Sequence, residues 1–177
     1  MSVDSSEFLA FLHSRSSVRE FHPAELAPSQ IDAILAAASR APSAGNLEAW
    51  DVVVVTDAEI RGELSEAALS QPHIAEAPAV FVVCANYVRS MSRYGERGIL
   101  YAVQDATIAA AFMMLAAHAE NLGACWTGAF DEEEVRGILQ LPRHIRPIVL
   151  LAVGRPRALP AKTPRMPLAE HVHREVW

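Results

Sequence analysis

Two guanidinium groups and two hydroxyls fall within five residues at Arg15-Ser16-Ser17-Val18-Arg19. In an extended segment Arg15, Ser17 and Arg19 project to one side by the period-two rule, and a fork of charged and hydroxyl donors is how a phosphate is held. A solvated charged face is the alternative reading of the same residues. Further along, Ala41-Pro42-Ser43-Ala44-Gly45-Asn46-Leu47-Glu48-Ala49-Trp50 separates a helical stretch from the apolar run Val52-Val53-Val54-Val55. Pro42 stops the helix, Gly45 frees the backbone, and Ser43 and Asn46 offer short hydrogen-bonding groups, so the loop suits a planar, polar ligand. The same composition also makes a plain turn.

Other chemistries find less support. There is no GxGxxG or P-loop; Gly95 and Gly98 lack the spacing and no strand immediately precedes them, which disfavours a Rossmann dinucleotide site. The seven histidines are scattered from His13 to His173 without an HExxH or Cys/His ligand set, His171 and His173 being the nearest approach, so they read as surface or core residues and no metal is expected. Ser43 lacks the GxSxG elbow of a serine hydrolase.

The elements that must position these residues are short. Phe8, Leu9, Phe11 and Leu12 form one apolar face of an N-terminal amphipathic segment. Ile31, Ile34, Leu35 and Ala38 follow Pro28 at helical spacing and predict a helix from about Pro28 to Arg40. Asp51 to Thr56 reads as a strand buried on both faces, and Thr56 with Glu59 has capping-box spacing for a helix through about Leu69. Pro78 to Cys84 is a second strand; the segment from there to Gly98 reads as a long surface loop. From Tyr101 to Asn121 the chain is helical, capped by Gly123, and apolar on every side. One compact domain cannot easily wrap such a helix, so part of it is expected against a partner subunit. Ala124 to Phe130 and Ile148 to Val153 are further strands. Between them Asp131 and Glu134 open a helix with Val135, Ile138 and Leu139 inward. The tail from Gly154 to Trp177 holds four prolines and is expected to be extended.

Composition bounds the function. A chain of 177 residues makes one domain spanning 1–177. With 15 basic against 21 acidic residues and a formal charge of −6, a nucleic-acid partner is not expected, and any phosphate contact must be local. The only two cysteines, Cys84 and Cys125, lie in strands without CxxC spacing, which fits buried thiols in a reducing compartment. Met1 to Glu7 lacks a signal-peptide pattern. The longest apolar stretch, Ala106 to Ala117, is shorter than the roughly 20 residues that cross a bilayer, so no membrane partner and a cytoplasmic location are expected.

Arg15 to Phe21 and Ala41 to Trp50 are followed in order by Arg93-Tyr94-Gly95-Glu96-Arg97-Gly98, Gln104-Asp105 and the stretch Leu122 to Asp131. Pro147 to Pro156 and Pro164-Arg165-Met166-Pro167-Leu168 close the series. Taken together over nearly the whole length, these segments resemble the FMN-dependent nitroreductase family. The resemblance implies an α+β fold with a central, mostly antiparallel sheet flanked by helices, and a C-terminal extension exchanged across a homodimer. It implies FMN as cofactor and NADH or NADPH as donor, with hydride passing through flavin N5 to an electron-poor small-molecule acceptor such as a nitroaromatic or quinone, in two half-reactions. It places Arg15, Ser16, Ser17 and Arg19, joined by Arg165, on the phosphate and ribityl side. Pro42, Ser43, Ala44 and Asn46 would reach the ring from the second subunit, and Gly128 and Ala129 would face the ring near N5. Arg19 is the candidate to stabilise charge on the reduced ring; no side chain is assigned as catalytic. Glu48-Ala49 replaces the family's Gln-Pro, so Glu48 is expected to modulate the flavin, with Arg93 or Arg97 as its possible ion-pair partner. Other flavin reactions on the same scaffold (dehalogenation, flavin fragmentation, metabolite dehydrogenation) remain open, as does a flavin-binding protein without turnover.

Overall fold

The structure, a computed structural model, describes residues 3–177. Met1 and Ser2, the first positions of the segment read as lacking a signal peptide, lie outside the described residues.

Helix α1 (Ser5–Ser14) starts where the Asp4 carboxylate accepts the Ser6 and Glu7 N–H groups. Its Phe8 and Leu9 are about half exposed, so the apolar face seen in the sequence has no full cover within the chain. Helix α2 (Pro28–Ala38) has proline in its first turn and buries Ile34 and Ala38. Then come β1 (Trp50–Val55), α3 (Ala58–Ala67), α4 (Pro72–Glu76), β2 (Ala79–Asn86), α5 (Tyr87–Tyr94), α6 (Arg97–Ala119), β3 (Gly123–Thr127), α7 (Glu132–Ile138) and β4 (Ile145–Gly154).

The four strands form one sheet in the order β1-β2-β4-β3, with every neighbouring pair antiparallel. Alternation along the central strands feeds two cores. Phe81, Val83, Val149 and Leu151 point to α2 and α6, while Val80, Val82, Leu150 and Ala152 point to the side of α3, α4 and α7. Each such fully buried side chain contributes about 1.5–3 kcal/mol relative to exposure, which makes the β2–β4 pair the most strongly buried part of the sheet. Pro147 lies beside the point where the β2–β4 register slips, between Val83 and Cys84, the kind of irregularity to which a proline within a sheet is confined.

Several sequence expectations are corrected. Strand β1 is not buried on both faces: it is a sheet edge, half-buried along most of its length. The cap of α3 is Asp57, whose carboxylate accepts the Glu59 and Ile60 N–H groups, and Thr56 lies outside the helix. The supposed loop before Gly98 is α5, started by the Asn86 side chain accepting from Arg89 N; its apolar Val88 and Met91 face outward, which hid the helical period. Helix α6 therefore begins at Arg97. Its last turn is closed by Asn121, in a left-handed conformation with φ 58°, so Gly123 is not the cap. Helix α6 is also not enclosed all round within the chain: Ala102, Ala106, Ala109 and Met113 are buried, but Ile99 and Leu100 are 40% and 50% exposed.

Candidate functional site

The chain leaves α1 in extended conformation at Arg15 and lies down beside β3. Val18 N donates to Ala124 O at 3.0 Å, and Ser17 pairs with Ala124 as an isolated parallel bridge. Close approach is possible because position 123 is glycine; a Cβ there would sit 2.6 Å from Val18 Cβ. Val18 is buried, and its neighbours Ser17 and Arg19 turn outward as the period-two rule requires. Further on, His22 N donates to Arg155 O and Arg157 N to Glu20 O, which ties the tail to this segment.

The result is a cleft of about 630 Å³ lined by Arg15, Ser16, Ser17, Arg19 and, from the tail, Lys162, Thr163 and Arg165. All five residues expected on the phosphate side are thus brought together. Lys162 and Thr163 were missed; an isolated Lys-Thr in a proline-rich tail carries no periodic signal. The four cations form no ion pair among the described residues, and no carboxylate lines the cleft.

The Pro42 loop is built around a buried carboxylate. Asp105 of α6 is 2% exposed; its Oδ1 accepts Ala44 N at 2.9 Å and its Oδ2 accepts Ala49 N at 3.2 Å. Between those anchors, Ser43 Oγ accepts Glu48 N, and Gly45, Asn46 and Glu48 all adopt positive φ. Pro42, Ser43 and Ala44 line a second cavity, of about 550 Å³, with Tyr101, Gln104 and Asp105. Asn46 is in the loop but not in that lining. The Gln104-Asp105 pair stands out in the sequence, but its position there does not indicate this task. The available signal was that Asp105 is the only charged residue between Gly98 and Ala117.

Glu48 forms no ion pair among the described residues. Neither Arg93 nor Arg97 is its partner: Arg93 donates to Gly45 O and Arg97 to the Tyr101 hydroxyl. Arg89 engages the backbone instead, donating to Glu48 O and Trp50 O while pairing with Asp51 at 3.0 Å.

Compared with known proteins, the chain matches the nitroreductase family over residues 12–73 and 65–155. It belongs to the nitroreductase family. The FMN reductase (NADPH) of Bacillus subtilis is 31% identical over 175 residues, covering 91% of this chain and 70% of the relative. The solved structure of NfrA2 from B. megaterium superposes with a TM-score of 0.91 at 29% identity, over 97% of this chain and 75% of that one. The NADPH:FMN oxidoreductase from Vibrio harveyi, complexed with NAD+, superposes with a TM-score of 0.88 at 26% identity, over 96% of this chain and 77% of that one. The α+β architecture with its antiparallel sheet is accordingly a nitroreductase-like fold.

In this nitroreductase-family chain Gly128 and Ala129 follow the end of β3 and line neither the cationic cleft nor the loop cavity. They are held from below: Gln71 Nε2 donates to Ala129 O, and Thr127 Oγ1 meets His73 Nε2 at 2.8 Å. His73 is buried, and burial together with nearby Arg19 keeps its pKa below the ordinary 6.5, against the pull of Glu76. Burial pushes the Cys84 thiol up to about 12 and raises Cys125 as well, where Arg19 partly opposes it. Neither thiol is a nucleophile near neutral pH.

Proposed function

We propose that the chain is an FMN-dependent NAD(P)H oxidoreductase that acts on an electron-poor small molecule as a cytoplasmic homodimer. One observation carries the reading: a carboxylate-free cleft in which Arg15, Arg19, Lys162 and Arg165 converge, with Ser16, Ser17 and Thr163 among them, on a chain of net charge −6. Such a donor set fits the dianionic phosphate of FMN and its hydroxylated chain.

The loop expected to reach the ring is far from that cleft on the same chain. The cleft segment is tied to the end of α6 by Ser14 Oγ meeting His118 Nε2, and the loop is tied to Asp105. At 1.5 Å per residue these anchors are about 20 Å apart along the helix. A two-fold partner would bring its own loop to this cleft, and the apolar surface left on α6 supplies a contact. Leu168, Val176 and Trp177 of the tail, 75–98% exposed, are the residues that would cross to the partner.

When bound, FMN supplies hydride acceptance from NAD(P)H and hydride donation to the acceptor. The protein's residues do the rest: Arg15 and Arg165 hold the phosphate, Asp105 fixes the backbone of the loop, and Arg19 offers positive charge to the reduced ring. Backbone at Gly128 and Ala129 would face N5. Arg15→Ala and Arg165→Ala are each expected to weaken FMN by about 1.5–3 kcal/mol, the worth of a hydrogen bond to a charged group. Equilibrium titration of the apoprotein with FMN reads this out, and unchanged affinity in both variants removes the phosphate assignment.

A further inference from the structure

The rim beside the Pro42 loop carries a cation–aromatic ladder that the site as described leaves without a task. The Arg93 guanidinium lies 5.6 Å from the Tyr94 ring centroid and that of Arg97 lies 5.5 Å from the Tyr101 centroid. The two rings meet edge to face at 4.9 Å. Arg97 Nε also donates to the Tyr101 hydroxyl at 2.7 Å, and Arg93 Nη1 to Gly45 O at 3.3 Å. The ladder sits directly on the loop: a Cβ at Gly45 would lie 2.3 Å from the Tyr94 hydroxyl. Its inner rung, Tyr101, is also a wall of the loop cavity.

The charges are held but not neutralised. Among the described residues neither guanidinium has a carboxylate partner, although Glu96 lies between them in sequence. An arginine stacked on an aromatic ring keeps its remaining N–H donors available in a fixed plane, so less entropy is lost when an anion binds. FMN's own phosphate is accounted for at the Arg15 cleft. The other phosphate-bearing reactant in the proposed reaction is the donor, which carries a pyrophosphate and, in NADPH, a 2′-phosphate.

We propose that Arg93 and Arg97, stacked on Tyr94 and Tyr101, bind phosphate of the reduced pyridine nucleotide at the mouth of the Pro42 cavity. The assignment rests on the oxidoreductase reading above. Both arginines are exposed, so the double variant Arg93→Gln/Arg97→Gln is expected to fold, and circular dichroism checks that it does.

Calorimetric titration of the flavin-loaded dimer with NADP+ and with NAD+ gives the direct readout. Anaerobic bleaching by the uncharged donor N-benzyl-1,4-dihydronicotinamide gives the reference. The dissociation constant for NADP+ is expected to rise about tenfold or more, roughly 1.4 kcal/mol, and the preference for nucleotide over neutral donor to fall with it. Equal losses for NADP+ and NAD+ assign the pyrophosphate; a loss confined to NADP+ assigns the 2′-phosphate. Unchanged nucleotide affinity, or an equal loss with the neutral donor, overturns the proposal. A wild-type protein that binds NADP+ through these arginines but holds no flavin would instead sink the oxidoreductase reading.

Discussion

Asp105 satisfies two backbone donors that lie 61 and 56 residues away in sequence, and its isolation as a charge in an apolar helix does not say which groups need it. An acidic residue in an apolar helix is read from sequence as an intrusion, because the groups that need it belong to a distant loop. The Arg15–Arg19 cluster was legible for the opposite reason: its donors are contiguous, and the strand period alone turns Ser17 and Arg19 to one side. Asp105→Ala is expected to destabilise the chain by at least about 1–3 kcal/mol, the cost of leaving the buried Ala49 N–H unpaired. Denaturant unfolding measures it, and a loss within ±0.5 kcal/mol would mean that the loop does not depend on the carboxylate. His73 gives a pH test. Its folded pKa is depressed, so its stabilisation is complete above the unfolded value of 6.5 and is lost as pH falls toward the folded value. Stability of the wild type should therefore fall below pH 6.5 by up to about 1.4 kcal/mol per pH unit from this group, and His73→Gln should remove that part of the slope. Parallel stability–pH curves for the two proteins would contradict the assignment.

Among the elements, those with a strong period were readable and those shaped by position in the sheet were not. The α2 pattern and the β-branched core of β2 gave type and place correctly. Strand β1 has the same Val-rich composition as a central strand, yet it is an edge; composition reports a preference for sheet and not a rank within it. Helix α5 escaped notice because its cap, Asn86, closes a strand and its apolar residues point outward. The element most exposed to test is the Val18 segment against β3. Gly123→Ala would force a Cβ to within 2.6 Å of Val18 Cβ, and overpacking of this kind costs about 1–3 kcal/mol. Because the same contact seats Ser17 and Arg19, the variant should lose FMN affinity along with thermal stability. Stability lost with FMN binding intact would separate the segment from the cofactor.

At the scale of the molecule, the Ile99–Leu100 side of α6, the Phe8–Leu9 face of α1 and the apolar residues of the tail are without full cover among the described residues. Helix α6 is long and apolar enough to cross a membrane by composition, but Ala102, Ala106, Ala109 and Met113 are packed in the core against the sheet. In the proposed homodimer a second copy would cover the Ile99–Leu100 side and would also supply the loop that the cationic cleft lacks. The central claim is that a homodimer holds one FMN per chain at its seams. Its most direct test combines light scattering with the visible spectrum of the purified, FMN-supplemented protein, before and after anaerobic NADH and NADPH. A species of twice the 19.2 kDa chain mass, carrying one flavin per chain that at least one nucleotide bleaches, is expected. A colourless monomer that takes up no FMN would contradict the account.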